Sequence, residues 1–202
     1  FDHLHFGGTP GMKGLIAICF IVATGILLAY FQSAMNHLVP MPFGQRASVM
    51  WVSSWGDFYL RLLLLCVVTP ICEEILFRGL MQDAIAERIG EMRAVLLTAI
   101  FFALMHSQSF HPVLYLLLGL SLSWVYAVTR SLRIAIICHA VNNVLVLVRR
   151  SSGVHFPLEN PTGYLDGFLI VLCVVLIVVC LKWLGMPRGE YEHTGKWRVR
   201  DV

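Results

Sequence analysis

Two adjacent glutamates, Glu73 and Glu74, stand in an otherwise apolar run, Leu-Leu-Leu-Leu-Cys-Val-Val-Thr-Pro-Ile-Cys-Glu-Glu-Ile-Leu-Phe-Arg-Gly at residues 62–79, with Arg78 one turn beyond them. Further along, His106 closes the run Phe-Ala-Leu-Met-His, and His139 and Asn143 bracket His-Ala-Val-Asn-Asn. On a helix, residues i and i+4 share a face, so Glu74 pairs with Arg78, Phe102 aligns with His106, and His139 aligns with Asn143. Glu73 is turned by about 100° from Glu74, so the two carboxylates can serve different ends. The spacing predicts a Glu74–Arg78 ion pair that offsets burial and leaves Glu73 free to face His106 and His139. A carboxylate and an imidazole that share a water can act as its general base. An imidazole and a carboxamide can donate to the oxyanion that forms when that water attacks a carbonyl. Together these groups are a minimum kit for hydrolysing an amide.

The elements that must carry these groups are membrane helices. The chain's 202 residues are 58% hydrophobic and only 13% charged, with mean hydropathy +0.76; a soluble domain carries about 25% charged residues. Six apolar stretches approach the roughly 20 residues needed to cross a hydrocarbon core. They lie at about Met12–Phe31, Phe58–Leu80, Ala94–Phe110, Pro112–Thr129, Leu132–Val148 and Tyr164–Leu184. No period-2 alternation runs through them, which argues against a barrel. The expected fold is therefore all-α, a polytopic transmembrane helical bundle of about six spans. An acid or base near the bilayer centre costs roughly 2.5–3.5 kcal/mol, and is tolerated where it faces a bundle interior or a wet cavity with partners. The glutamates, Arg78, His106, His139 and Asn143 are expected to face such an interior.

Lys and Arg set the expected orientation. Six alternating spans place Lys13, Arg88, Arg93, Arg130, Arg133, Lys182, Arg188, Lys196, Arg198 and Arg200 on one side, against Arg46, Arg61, Arg149 and Arg150 on the other. The first side is then cytoplasmic, with both ends of the sequence there. The net charge of +3 is too small and too scattered to imply a nucleic acid partner. The six cysteines all fall in apolar runs without paired spacing, which predicts buried small hydrophobes rather than disulfides. Residues 32–57 form a Pro-, Trp- and Met-rich link with room for an interfacial helix, and residues 81–93 read as an amphipathic continuation of the second span. Thr69 and Pro70 predict a kink ahead of the glutamates, and Asn142 a contact between helices. The tail from Pro187 is polar and expected to be exposed. The sequence begins at Phe1 rather than Met, so a preceding stretch is expected. One conflict is visible in advance: His106 falls at the far end of its span from Glu73 and His139. Either the third helix begins outside the core, or residues 107–112 turn back into it.

In order and spacing, Glu73-Glu74-x-x-x-Arg78, Phe102-x-x-x-His106 and His139-x-x-x-Asn143 resemble the CAAX-protease and bacteriocin-processing family of intramembrane endopeptidases, also called CPBP or Abi. Each pattern alone is weak; the ordered set inside apolar spans is specific, and no position departs from it. The resemblance implies residues 55–150 as the catalytic helical core, between an N-terminal helix and link at 1–54 and a C-terminal helix and tail at 151–202. It implies catalytic roles for Glu73, His106, His139 and Asn143, with Glu74 and Arg78 supporting. It further implies a membrane-associated peptide or protein substrate, a lipid bilayer around the chain, and for some members a membrane protein complex; the short, compact chain points to a place in a prokaryotic cytoplasmic membrane. No cofactor is required on the glutamate-based mechanism. The zinc-dependent alternative would use Glu73, His106 and His139 as ligands with an open fourth position. Two other classes compete: a non-catalytic scaffold or bacteriocin-immunity protein retaining the fold, and a proton-coupled transporter, because such residues also build relays.

Overall fold

The computed structural model describes residues 11–38, 54–106, 112–151, 164–185, 189–191 and 197–199. Helix α1 spans Met12–Leu38. Helix α2, residues 55–89, is continuous but changes register. It is α-helical at Trp55–Leu63, π-helical at Leu64–Val68, α-helical at Thr69–Glu74, π-helical at Ile75–Gln82 and α-helical at Asp83–Ile89. Then follow α3 (Glu91–Met105), α4 (Pro112–Thr129), α5 (Leu132–Ser151) and α6 (Tyr164–Leu184). A short antiparallel ribbon pairs β1 (Gly189–Tyr191) with β2 (Trp197–Val199), where the sequence suggested only a polar tail.

The bundle is apolar outside and polar within. Val171, Val175 and Trp183 on α6 are exposed, whereas Glu74, Arg78 and Gln82 on α2 are fully buried. A water-soluble fold does the reverse, so this is an integral membrane protein. Four helices contain a stretch long and apolar enough to cross a bilayer: Met12–Met35, Pro112–Thr129, Leu132–Arg149 and Asp166–Leu184. The other two expected spans differ in kind. The α2 helix carries the site's charges, and α3 has 15 residues, only about 22 Å of helix against a core of about 30 Å. This shortness removes the depth conflict: α3 starts at Glu91 and ends at Met105, so His106 is its cap rather than the far end of a full span. Residues 107–111 lie outside the described residues, as do 39–53, where the interfacial link was expected.

Breaks in the helices follow from local backbone chemistry. Gly90 has φ +90°, which a side chain tolerates poorly, and it separates α2 from α3. Arg130 takes φ +48° to end α4, and its N–H bonds the Tyr126 carbonyl at 2.8 Å. Its guanidinium offsets that strain by binding Asp83 and Glu91. The ends of α2, α3 and α4 are thereby tied together at one end of the bundle. At the other end, Arg149 donates to Gln32 at 2.8 Å and Tyr30 donates to Asp166 at 3.1 Å, joining α5, α1 and α6. Helix α1 packs against α6, α5 and α4, and α3 against α4. The α3–α4 approach needs Gly119, because a Cβ there would lie 3.2 Å from the Ala99 backbone and from the Phe102 ring.

The amphipathic extension beyond residue 80 is present, but Gln82 is fully buried rather than interfacial. The cysteine expectation holds in part. All six are free, and Cys66, Cys138, Cys173 and Cys180 are buried, but Cys19 and Cys72 are exposed on outward helix faces.

Candidate active site on helices α2, α3 and α5

Glu74 lies at the centre of the buried polar groups. Its Oε1 accepts from Arg78 Nη1 at 2.7 Å and from His139 Nδ1 at 2.7 Å, and both Glu74 and Arg78 are wholly inaccessible. The ion pair expected from the i, i+4 spacing is there, and Glu74 has a second task that spacing on one helix could not show. It fixes the tautomer and tilt of His139, in the way a buried carboxylate orients a catalytic imidazole. Arg78 also donates to the Gly119 carbonyl at 3.2 Å and lies 4.8 Å from the Phe102 ring centre. One turn on, Gln82 donates to Glu91 and to the Ser123 carbonyl, each at 3.1 Å. Glu74, Arg78 and Gln82 thus form a polar ladder along α2.

Glu73 turns away from this ladder. Its Oε1 lies 3.7 Å from His106 Nε2 and its Oε2 lies 3.8 Å from His139 Nε2, with its side chain 22% exposed. Both distances exceed a direct hydrogen bond. The His106 Nδ1 must carry the hydrogen in its 2.8 Å contact with the Phe102 carbonyl, since a carbonyl only accepts. By the same logic His139 Nδ1 carries the hydrogen shared with Glu74. With that hydrogen on Nδ1, either ring in its neutral form presents an Nε2 lone pair to Glu73, and Glu73 Oε2 is buried with no hydrogen-bond partner. Such an acceptor set is completed by something that brings hydrogens or positive charge: a water, a proton on one ring, or a cation.

Asn143 is held at both ends of its amide. Its Nδ2 donates to the Leu65 carbonyl at 2.8 Å, and its Oδ1 accepts from Asn142 at 3.3 Å. The first partner is explained by Pro70. In the π segment an N–H reaches the carbonyl five residues back, as Thr69 does to Leu64. The next donor in that register would be residue 70, which is proline and has no N–H. Leu65 is left with an unpaired carbonyl, and Asn143 supplies the missing donor. The predicted kink is thus a register change, and one of the two Asn143 amide hydrogens is committed to it.

Residues 55–145 match the family model described as type II CAAX prenyl endopeptidase Rce1-like. Over that segment the chain is similar to the CAAX-protease family. The matched segment holds all six expected site residues and ends two positions after Asn143. A Bacillus subtilis (strain 168) protein named "Putative membrane peptidase YdiL" is 29% identical over 101 residues, which make up 50% of this chain and 41% of that relative. No solved structure matches the chain.

Within the matched segment the structure brings Glu73, His106 and His139 together, with Glu74 and Arg78 directly behind His139. Asn143 is tied to the α2 backbone instead of facing Glu73 with both hydrogens. Two imidazoles and a carboxylate are a chemically suitable zinc donor set, and both rings already have the outer-shell acceptors that metal-binding histidines use. Among the described residues, no group of three or more His, Cys, Asp or Glu side chains is placed to hold a metal ion. Two participants were not anticipated. Gln82 extends the i, i+4 series from Glu74 and Arg78, so spacing alone could have found it. Tyr115, whose ring stacks on His106 with centroids 4.5 Å apart, follows no local pattern.

Proposed function

We propose that this chain is an intramembrane endopeptidase that hydrolyses a peptide bond in a membrane-associated peptide or protein. The observation that carries the proposal is Glu73 facing two Nε2 atoms at 3.7 and 3.8 Å, beside a buried Glu74 that is already paired with Arg78. Those gaps suit a water shared among the three groups. Glu73 with His106 takes a proton from that water as it attacks the scissile carbonyl. The proton then passes to the leaving amine. His139 can donate to the oxyanion from Nε2 only as an imidazolium, and Glu74 stands 2.7 Å from its Nδ1 to face that charge. The uncommitted amide hydrogen of Asn143 is the second donor. No cofactor is needed for these steps. The substrate class follows from the position of the groups within the membrane and from the name of the B. subtilis relative. That relative also motivates placement in a prokaryotic cytoplasmic membrane.

The test is Glu73→Gln in proteoliposomes containing a library of fluorogenic peptides with lipid anchors. Cleavage should fall by about 10²–10⁴-fold with thermal unfolding unchanged. Undiminished cleavage would remove Glu73 as the base. A wild type that cleaves nothing, yet supports its cellular role equally well as Glu73→Gln, would favour the scaffold class. Proton or solute flux without peptide consumption would favour the transporter. Elemental analysis of active protein, with chelator treatment, should show activity without stoichiometric zinc; chelator-sensitive cleavage with one zinc per chain would replace the metal-free mechanism.

A further inference from the structure

His106 stands where α3 stops, as the C-cap residue with φ −99° and ψ 17°. The Nδ1 bond to the Phe102 carbonyl fixes one edge of the imidazole but leaves its plane free to rock about that contact. Two aromatic rings restrict the plane. Phe102 lies with its centroid 4.6 Å from that of His106 at a tilt of 37°, and Tyr115 lies 4.5 Å away with the planes only 11° apart. Near-parallel rings at that distance form an offset stack, which holds orientation as well as position. Phe102 is itself locked in the core against Phe77. Tyr115, in the first turn of α4, packs against the same core.

We infer that Tyr115 is a positioning residue of the site: its ring sets the plane of the His106 imidazole and so aims Nε2 at Glu73. The inference rests on the proposal that His106 and Glu73 act together on a water. Rocking of the imidazole would swing Nε2 off the 3.7 Å line to Glu73 Oε1. The contact that matters is the ring face, so Phe can replace Tyr at this position, whereas Leu retains apolar bulk and loses the plane.

The experiment compares wild type, Tyr115→Phe, Tyr115→Leu and His106→Ala as full chains, using the lipid-anchored fluorogenic peptides in liposomes. In parallel, the histidine ring protons are followed by NMR in detergent, His106→Ala assigning the signal. The His106 resonances should be shifted upfield by the stacked ring in wild type and Tyr115→Phe, and that shift should be lost in Tyr115→Leu. The kcat of Tyr115→Leu should fall about 10–100-fold, the range expected from a misplacement of about 1 Å, with KM nearly unchanged. Tyr115→Phe should retain kcat within about threefold of wild type. Wild-type kcat in Tyr115→Leu, a defect confined to KM, or an equal loss in Tyr115→Phe would each overturn the inference. If wild type cleaves none of the peptides, the protease proposal fails separately. The ring shift then decides the stack alone, and its persistence in Tyr115→Leu would overturn the positioning role.

Discussion

Glu73 and Glu74 are neighbours in sequence and opposites in circumstance. Glu74 is fully buried and shared between Arg78 and His139, while Glu73 is partly accessible and faces two lone pairs. Substitution should therefore separate them. Glu74→Gln leaves the Arg78 guanidinium without its carboxylate, and loss of one partner of a buried pair costs about 3–5 kcal/mol. That variant should show a clearly lowered unfolding temperature and reduced yield. Its remaining folded fraction should also cleave poorly, because His139 loses the negative charge that faces its ring. Thermal denaturation followed by an activity assay on the folded fraction checks both parts. A variant as stable as wild type would show that the pair adds nothing to the fold. The Glu74–Arg78 half of this asymmetry was legible from i, i+4 spacing. The Glu74–His139 half was not, since it joins residues 65 positions apart.

The register changes of α2 are what connect sequence to chemistry at the level of elements. A π segment ending just before Pro70 exposes the Leu65 carbonyl, and Asn143 answers it from α5. Replacing Pro70 with Ala restores an N–H that can pair within the helix. Ala is about 3 kcal/mol more favourable than Pro in a helix interior, so Pro70→Ala should unfold at the same or a higher temperature. Cleavage should nevertheless fall about 10-fold or more, because Asn143 is released from its fixed aim. Stability and activity moving in opposite directions is the discriminating result; unchanged kcat would mean that Asn143 does not depend on Leu65. At the foot of α2, the Asp83–Arg130–Glu91 cluster sets the register of α2 and α3 against the α4–α5 turn. Asp83 stands as many residues beyond Glu74 as Arg130 stands before His139, so the lower pair and the Glu74–His139 contact fix the same alignment. The glycine that lets α3 and α4 close, Gly119, also lends Arg78 its carbonyl acceptor.

As a whole molecule, the bundle places Asp83, Glu91 and Arg130 at one end and Gln32, Arg149 and Asp166 at the other. The Lys and Arg bias predicts that the first end is cytoplasmic. In a chain whose six cysteines are replaced, a membrane-impermeant thiol reagent applied from outside should label a cysteine at position 151 and leave one at position 88 unlabelled. The reverse pattern would invert the orientation, and equal labelling would break the alternation of spans. Composition and apolar run length sufficed for a helical membrane bundle, because a bilayer admits few other backbones. The fourth and sixth helices have the limits read from the apolar runs, and the ordered Glu-Glu-Arg, His and His-Asn patterns marked the residues worth examining. The short α3, the register shifts of α2 and the stacking of Tyr115 on His106 were beyond that reading. Each depends on which groups from distant helices meet at one point, and a periodic pattern reports only the face a residue occupies on its own helix. The sequence alone determined the membrane, the helices and the polar side chains set among them. Only the tertiary structure decided the pairings between helices, because a buried polar group left unmatched along its own helix must find its partner across the bundle.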